Sequence, residues 1–246
     1  MATVRTADRT LSIFEAFESR RRPMPLSELA PLVDMPVSSC HGLVRTLLQR
    51  GYLYLTDRRR DYYPTRKLLH LAHTIIADDP FLERLLPVLE TLRNDVRETV
   101  IVGVRQGDAV LYLEVLEGPQ TIRYSARVGD FKPLHSSAIG KTMLAGLTPA
   151  ELSSWLAQHP LPSITDATIT DPARLERDLA AGRQRGYFVT RGENVADVTA
   201  VATSAIVNGQ AIGIAVAGPS HRMLANLDTV ADRVLRARDQ ISAEQP

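Results

Sequence analysis

Two groups of residues in this chain have the types and spacing to do chemistry. The first is Ser38, Ser39, His41 and Arg45, followed by the consecutive Arg58, Arg59 and Arg60. Short hydroxyls, an imidazole and guanidinium groups are suited to hydrogen-bonding base edges and phosphates. The second is His135, Ser136 and Ser137, with Lys141 close by in sequence. As catalytic groups these would make His135 a base and Ser136 or Ser137 a nucleophile. Adjacent residues point in different directions, however, and no third group is visible to orient the imidazole. The competing reading is a helix that begins near Ala138, capped by Ser136 or Ser137, whose exposed backbone N–H groups receive a carboxylate. A metabolite-processing enzyme with an accessory nucleic-acid domain is thus the alternative to a ligand-binding protein, and no catalytic residue is assigned.

Composition narrows the classes. The chain has 246 residues, 44% of them hydrophobic, enough for a small domain plus a medium one. Its net charge of +1 divides unequally. Residues 1–66 hold 11 Arg against 7 acidic residues, a balance of +4; the remainder holds 18 of the 29 basic and 21 of the 28 acidic residues, a balance of −3. A basic head on a mildly acidic body assigns a polyanionic partner to the head. The single Cys40 excludes a disulfide framework within the chain and a Cys-rich zinc site, and neither metal nor cofactor is expected. No apolar run approaches the length of a membrane span and no signal-peptide core opens the chain, so the expectation is a cytoplasmic protein without a membrane partner.

The first group lies in residues 25–50, which read as two short helices joined by a tight turn. Pro36 suits a first helical turn, and Cys40, Leu43, Val44, Leu47 and Leu48 form one apolar stripe. Val37, Ser38, Ser39, His41, Gly42, Arg45 and Gln49 occupy the opposite face, small and polar as a helix in a major groove needs to be, and Gly51 ends the helix. The preceding helix, about 27–33, has Ser27 as N-cap and Pro31 accommodated near its first turn. An amphipathic helix over 6–19 covers the pair through Leu11, Phe14 and Phe17, and Arg20, Arg21 and Arg22 at its end either reach phosphates or are solvated and favour the helix dipole. After Gly51 the alternation from Tyr52 to Leu55, the turn TDRRRD, then Tyr62 and Tyr63 predict a hairpin whose tip presents Arg58, Arg59 and Arg60 to phosphates or a minor groove. Residues 1–66 are therefore read as a winged helix-turn-helix domain.

A linker helix over 67–77 follows, closed by Asp78, Asp79 and Pro80; Leu68, Leu71, Ala72, Ile75 and Ile76 form a stripe that a second copy of the chain would cover. Residues 80–246 form the body. A helix over 81–97 leads into strands at 99–105, 109–116 and 121–128, then the helix near Ala138. Thr148, Pro149 and Glu151 form a capping box for a helix over 149–158, and Asp171-Pro172 starts another that Gly186 ends. Asn208-Gly209 joins strands 198–207 and 210–217 as a hairpin, and a final helix spans about 223–241. Ala211, Gly213, Ala215 and Ala217 share one side of the last strand and leave room either for a ligand or for a closely packed helix. Strands with helices on one side and a terminal helix suggest an α+β sensor domain.

Together these stretches resemble the IclR family of bacterial transcription regulators over nearly the whole chain. The resemblance rests on LSELA at 26–30, Pro36, Ser38, Ser39 and Leu43, and RGYL at 50–53 in the head. In the body it rests on EGPQTIRYSARVG at 117–129, PLHSSAIGKTMLA at 133–145, RGY at 185–187 with Glu193, and AGPSHRM at 217–223. It implies an α+β chain with an N-terminal winged helix, a linker helix and a GAF-like effector-binding domain. It further implies a homodimer or dimer of dimers on double-stranded operator DNA near a catabolic operon, as a repressor. Carried over, the effector-binding residues are His135, Ala138, Ile139, the 190–193 loop with Thr190 and Glu193, Ala200, Ala215 and Ala217. Members that bind small oxoacids have an acidic residue, a cysteine and two serines where this chain has Thr190, Ala200, Ala215 and Ala217. A buried carboxylate would lose partners worth about 1–3 kcal/mol each, so the implied effector is larger, flatter or more apolar, such as an aromatic acid or amide. Many members also carry an arginine at the position of Gly42, which shifts DNA affinity in this chain toward phosphate contacts and the wing.

Overall fold

Apolar residues spaced at helical intervals build the head around a core of Ile13, Phe17, Met24, Leu29, Ala30, Val33, Cys40, Val44, Leu47 and Leu53. In this computed structural model, which describes residues 4–56, 60–77 and 80–243, that core belongs to the first of two compact units, Met1–Pro80 and Phe81–Pro246. Three helices supply it: α1 (Arg5–Arg20), α2 (Leu26–Leu32) and α3 (Val37–Gln49). Pro25 is the residue that precedes α2, so Ser27 lies within the helix instead of capping it, and Pro31 sits in its last turn. A proline there costs the short helix only the bond to the Ser27 carbonyl, and Met35 N–H bonds to Ala30 O at 3.0 Å to close the turn. Pro36 likewise falls one residue before α3. At the other end Gly51, with φ 73°, lets Tyr52 N–H reach Leu47 O at 2.8 Å and Gly51 N–H reach Leu48 O at 3.0 Å. These are the paired bonds of a Schellman stop.

Strands β1 (Leu53–Leu55) and β2 (Tyr62–Pro64) pair antiparallel, and Met24 adds a bridge to Tyr62. Then α4 (Lys67–Ala77) begins, with Lys67 Nζ donating to Arg50 O at 2.7 Å and so tying its first residue to the end of α3. Leu69, Leu71 and Ile75 of α4 are exposed.

The second unit is built on a six-stranded antiparallel sheet in the order β5-β4-β3-β8-β7-β6. Its strands are β3 (Thr99–Gln106), β4 (Ala109–Leu116), β5 (Phe131–Pro133), β6 (Phe188–Arg191), β7 (Val198–Val207) and β8 (Gln210–Pro219). The side-chain period of two sends Val100, Val102, Val104, Val201, Ile212, Ile214 and Val216 to one face. There they meet α5 (Pro80–Val96), α9 (Ser220–Ala225) and α10 (Leu227–Ala243). Ile101, Ala202, Ala215 and Ala217 face the other way, toward α6 (Ala138–Ala145), α7 (Pro149–Gln158) and α8 (Pro172–Arg185). The α+β class holds, with helices on both faces of the sheet rather than one.

Two further expectations need correction. Residues 121–128 are not a strand. Side chains hold that segment instead of a ladder: Thr99 Oγ1 donates to Tyr124 O at 2.5 Å, and Arg222 Nη2 to Ile122 O at 2.8 Å. The edge position goes to the short β5, which pairs with Ala109, Val110 and Leu111. The final helix is also two, broken at Asn226, where the backbone turns to φ −122°. Among the described residues no helix is long and apolar enough to cross a membrane.

Candidate nucleic-acid interface and ligand pocket

In the head, α3 buries Cys40, Val44 and Leu47 and exposes Ser38, Ser39, His41, Gly42, Arg45 and Gln49. The second face is shallow, because a Cβ at Gly42 would meet nothing within 4 Å and Thr46 Oγ1 is turned back onto Gly42 O at 3.0 Å. Arg45 is thus the one cation on a face of short groups. No side chain caps the start of α3, so its first-turn N–H groups, which have no partner within the helix, are left for an anion such as a phosphate. Behind it Arg22 is committed, paired with Glu28 and donating to Pro23 O, whereas Arg20 and Arg21 are exposed. At the wing, Thr56 N–H bonds to Asp61 O at 2.9 Å and Arg60 stands exposed with φ 53°. Arg58 and Arg59 lie outside the described residues.

In the body, the turn into α6 is set by glycine and serine. Ser137 is the N-cap: its Oγ accepts from Gly140 N–H at 3.2 Å and donates to Pro133 O at 2.6 Å. A Cβ at Gly140 would lie 2.3 Å from Leu134 O, so only glycine lets the chain double back here. Gly213 plays the same part on the sheet, since a Cβ there would lie 2.3 Å from Ile139 Cγ2. The small-residue stripe of β8 therefore serves both readings. Gly213 admits the helix, while Ala215 and Ala217 beyond it face a cavity beside the start of α6.

That cavity is small and partly open to solvent, with about 30 Å³ free for a water-sized molecule. Ile101, Ala215 and Ala217 form its floor; Ser137, Ala138 and Ile139 form the end at α6. Tyr112 and Tyr124 stand on the β4 side, and Thr190, Asn194, Val195, Val198 and Ala200 on the β6 and β7 side. A mostly apolar lining with a few convergent polar groups is what a small organic ligand requires, and one larger than a water needs that lining to open. Burial pushes the Tyr112 hydroxyl well above the ordinary phenol range, and the nearby Tyr124 and Asp130 add to the shift.

Of the body residues singled out in the sequence, Ala138, Ile139, Thr190, Ala200, Ala215 and Ala217 meet at this cavity, and His135 and Glu193 are not among its lining residues. His135 is buried with Nε2 3.0 Å from Pro162 O; burial first, then the Lys141 charge, lower its pKa against the effect of that bond. Ser136 Oγ accepts from Asn194 Nδ2 at 3.1 Å, so His135 has neither serine as a partner for nucleophilic catalysis. Glu193 turns inward to Lys141, which is wholly buried and also holds Asp178 at 2.7 Å. Burial raises the Glu193 pKa, and the ammonium opposes the shift. The group ties α6, α8 and the loop after β6 together.

Comparison with known proteins separates a shared fold from a shared family. The family description "IclR helix-turn-helix domain" matches residues 6–57, and "Bacterial transcriptional regulator IclR C-terminal" matches residues 73–243. The chain belongs to the IclR family. Within it, the HTH-type transcriptional regulator BhcR of Paracoccus denitrificans is 32% identical over 97% of this chain and 86% of its own length. The Thermotoga maritima IclR crystal structure superposes with a TM-score of 0.83 at 24% identity, covering 98% of this chain and 99% of that one, a likeness of fold. An IclR homologue from Microbacterium hydrocarbonoxydans, crystallised in complex with 4-hydroxybenzoate, gives a TM-score of 0.76 at 25% identity over 97% and 98% of the two chains. As an IclR-family protein the chain is a DNA-binding transcriptional regulator and not an enzyme.

The pocket residues that sequence reasoning missed are Ile101, Tyr112, Tyr124, Asn194, Val195 and Val198, with Ser137 read as a cap or a nucleophile. Ile101 could have been found from its strand alternation, which sets it opposite Ala215 in the neighbouring strand. Tyr124 carried no such signal, because its segment was taken for a strand.

Proposed function

We propose that this regulator senses a small aromatic acid or amide in the cavity beside α6, and that occupancy changes its affinity for double-stranded operator DNA as the repressor of a catabolic operon in the cytoplasm. The observation that carries the reading is the cavity wall. Alanines at 200, 215 and 217 and Ile101 offer flat apolar surface where a small, highly polar acid would need donors. The first-turn N–H groups of α6 at Ala138 and Ile139 have no partner within the helix and suit a carboxylate at the pocket's end. Ser38, Ser39, His41 and Arg45 would read the major groove, with Arg60 and its neighbours Arg58 and Arg59 on phosphates.

The working form is a homodimer, or a dimer of such dimers, with winged helix 1–66, linker helix 67–79 and effector domain 80–246. What supports it is the exposed apolar stripe of α4, which a second copy would bury. A calorimetric screen of the full chain against benzoates, benzamides and small oxoacids tests the effector class. Binding is expected among the aromatic compounds; a screen in which only glyoxylate or pyruvate binds overturns it.

A further inference from the structure

With only about 30 Å³ free, the cavity beside α6 admits a ligand when part of its lining moves, and its walls are not equally held. The floor is the middle of the sheet: Ala215 pairs with Ile101 and Ala202, and Ala217 with Thr99 and Ala200. Moving it would break a ladder on both sides. The end at α6 is wedged, since Ile139 packs where Gly213 has no Cβ. The tyrosine side is held along its length. Tyr112 N–H bonds to Asp130 O, Thr99 Oγ1 to Tyr124 O and Arg222 Nη2 to Ile122 O, while Arg123 and Ser125 both donate to Glu117.

The loop from 192 to 197, between β6 and β7, is held differently. Its ends are anchored. Gly192 N–H bonds to Val198 O at 2.8 Å, and Gly192 O accepts from Thr165 Oγ1 at 2.6 Å. Glu193 O accepts from Thr168 Oγ1 at 2.7 Å, its carboxylate takes Lys141, and Asp197 O accepts from Ser220 N–H at 2.7 Å. Between these anchors the loop closes its own turn with Val198 N–H on Val195 O at 3.2 Å. Beyond that turn, residues 194–196 make one hydrogen bond among the described residues, Asn194 Nδ2 donating to Ser136 Oγ at 3.1 Å. Ser136 is wholly buried, Asn194 half-buried and Val195 39% exposed, and Asn194 and Val195 line the cavity. The tip thus stands between the cavity and solvent.

We propose that residues 194–196 are the moving part of the wall, and that the Asn194–Ser136 hydrogen bond is the latch that closes them over a ligand. Opening breaks one neutral hydrogen bond and no ladder, which keeps the open state within reach of local fluctuation. Lys141, by holding Glu193, keeps that opening local to the tip. The inference rests on the cavity being the effector site, but the latch is testable without a ligand.

Ala217→Cys places a thiol on the cavity floor, at a position 2% exposed. Its reaction with methyl methanethiosulfonate in the full chain reads the open fraction, followed by peptide mass spectrometry so that Cys40 is counted separately. Adding Asn194→Ala or Ser136→Ala is expected to raise that rate about fivefold, the worth of one hydrogen bond, and combining the two to add nothing further. Ser136 does not line the cavity, so its effect cannot come from a wider mouth. Arg123→Ala, which frees the Tyr124 segment from Glu117, is expected to leave the rate unchanged. An Ala205→Cys thiol, buried on the opposite face of the sheet, reports loosening of the whole fold, and its rate is expected not to respond to Asn194→Ala. A rate at 217 unmoved by Ser136→Ala, raised as much by Arg123→Ala, or matched by an equal rise at 205 overturns the latch and leaves the aromatic reading intact. A chain that labels as expected but binds no benzoate in calorimetry keeps the latch and loses the aromatic effector.

Discussion

Lys141 shows how one residue can organise a site it does not line. An ammonium with no exposure is tolerated because Asp178 and Glu193 both reach it at 2.7 Å, and removing either partner would leave buried charge uncompensated. Sequence reasoning noticed Lys141 only as a neighbour of the PLH motif. Its acidic partners lie in a helix and a loop far along the chain, and no local pattern joins them. His135 is a similar case: its type suggested a ligand contact, but the structure spends it on Pro162 O. Burial lowers its pKa from the ordinary 6.5, so its neutral form is favoured in the folded state. The resulting contribution to stability is present above the unfolded value and lost as the pH falls through the depressed folded one. His135→Gln keeps a donor for Pro162 and removes the titration. Thermal melts between about pH 7.5 and pH 5.5 should therefore show a steeper loss of Tm in wild type than in this variant. Parallel slopes would mean that His135 is not desolvated as described.

At the level of helices and strands, local signals carried most of the fold. The stop after α3, the capping box of α7, the Asp171 and Gly186 ends of α8 and the Asn208-Gly209 hairpin each depend on a few adjacent residues, and each was readable. What failed depended on distant partners. Residues 121–128 have a strand-like composition, but their backbone is claimed by Thr99 and Arg222, so the cavity's tyrosine side could not be placed from sequence. The relation of α6 to the sheet was open for the same reason, and it now rests on a contact that can be tested. In Gly213→Ala the new Cβ would meet Ile139, forcing the helix or its side chain to shift. The expected cost is about 1–3 kcal/mol, a fall in Tm of roughly 3–10 °C, accompanied by weaker ligand binding at the adjoining cavity. An unchanged Tm would show that α6 does not bear on β8 at this point.

On the scale of the whole chain, the first structural unit, Met1–Pro80, carries a net positive charge and the second, Phe81–Pro246, a net negative one. The body has the cavity and the head has the groove-sized helix. Lys67 joins the start of α4 to the end of α3 inside the head, so a change in how α4 is held would be felt by α3. Coupling of only about 1–3 kcal/mol between sites changes occupancy roughly 5- to 150-fold, and it must be reciprocal. The central claim is therefore that an aromatic ligand in the cavity alters DNA affinity through the intact chain. The direct measurement is a fluorescence anisotropy titration of the full chain on a duplex selected by its own binding, with and without saturating 4-hydroxybenzoate, alongside Arg45→Ala. Ligand should shift the DNA dissociation constant at least about fivefold, and Arg45→Ala should weaken DNA binding while leaving calorimetric ligand affinity unchanged. Identical DNA affinity with and without a ligand that calorimetry shows to be bound would contradict the account.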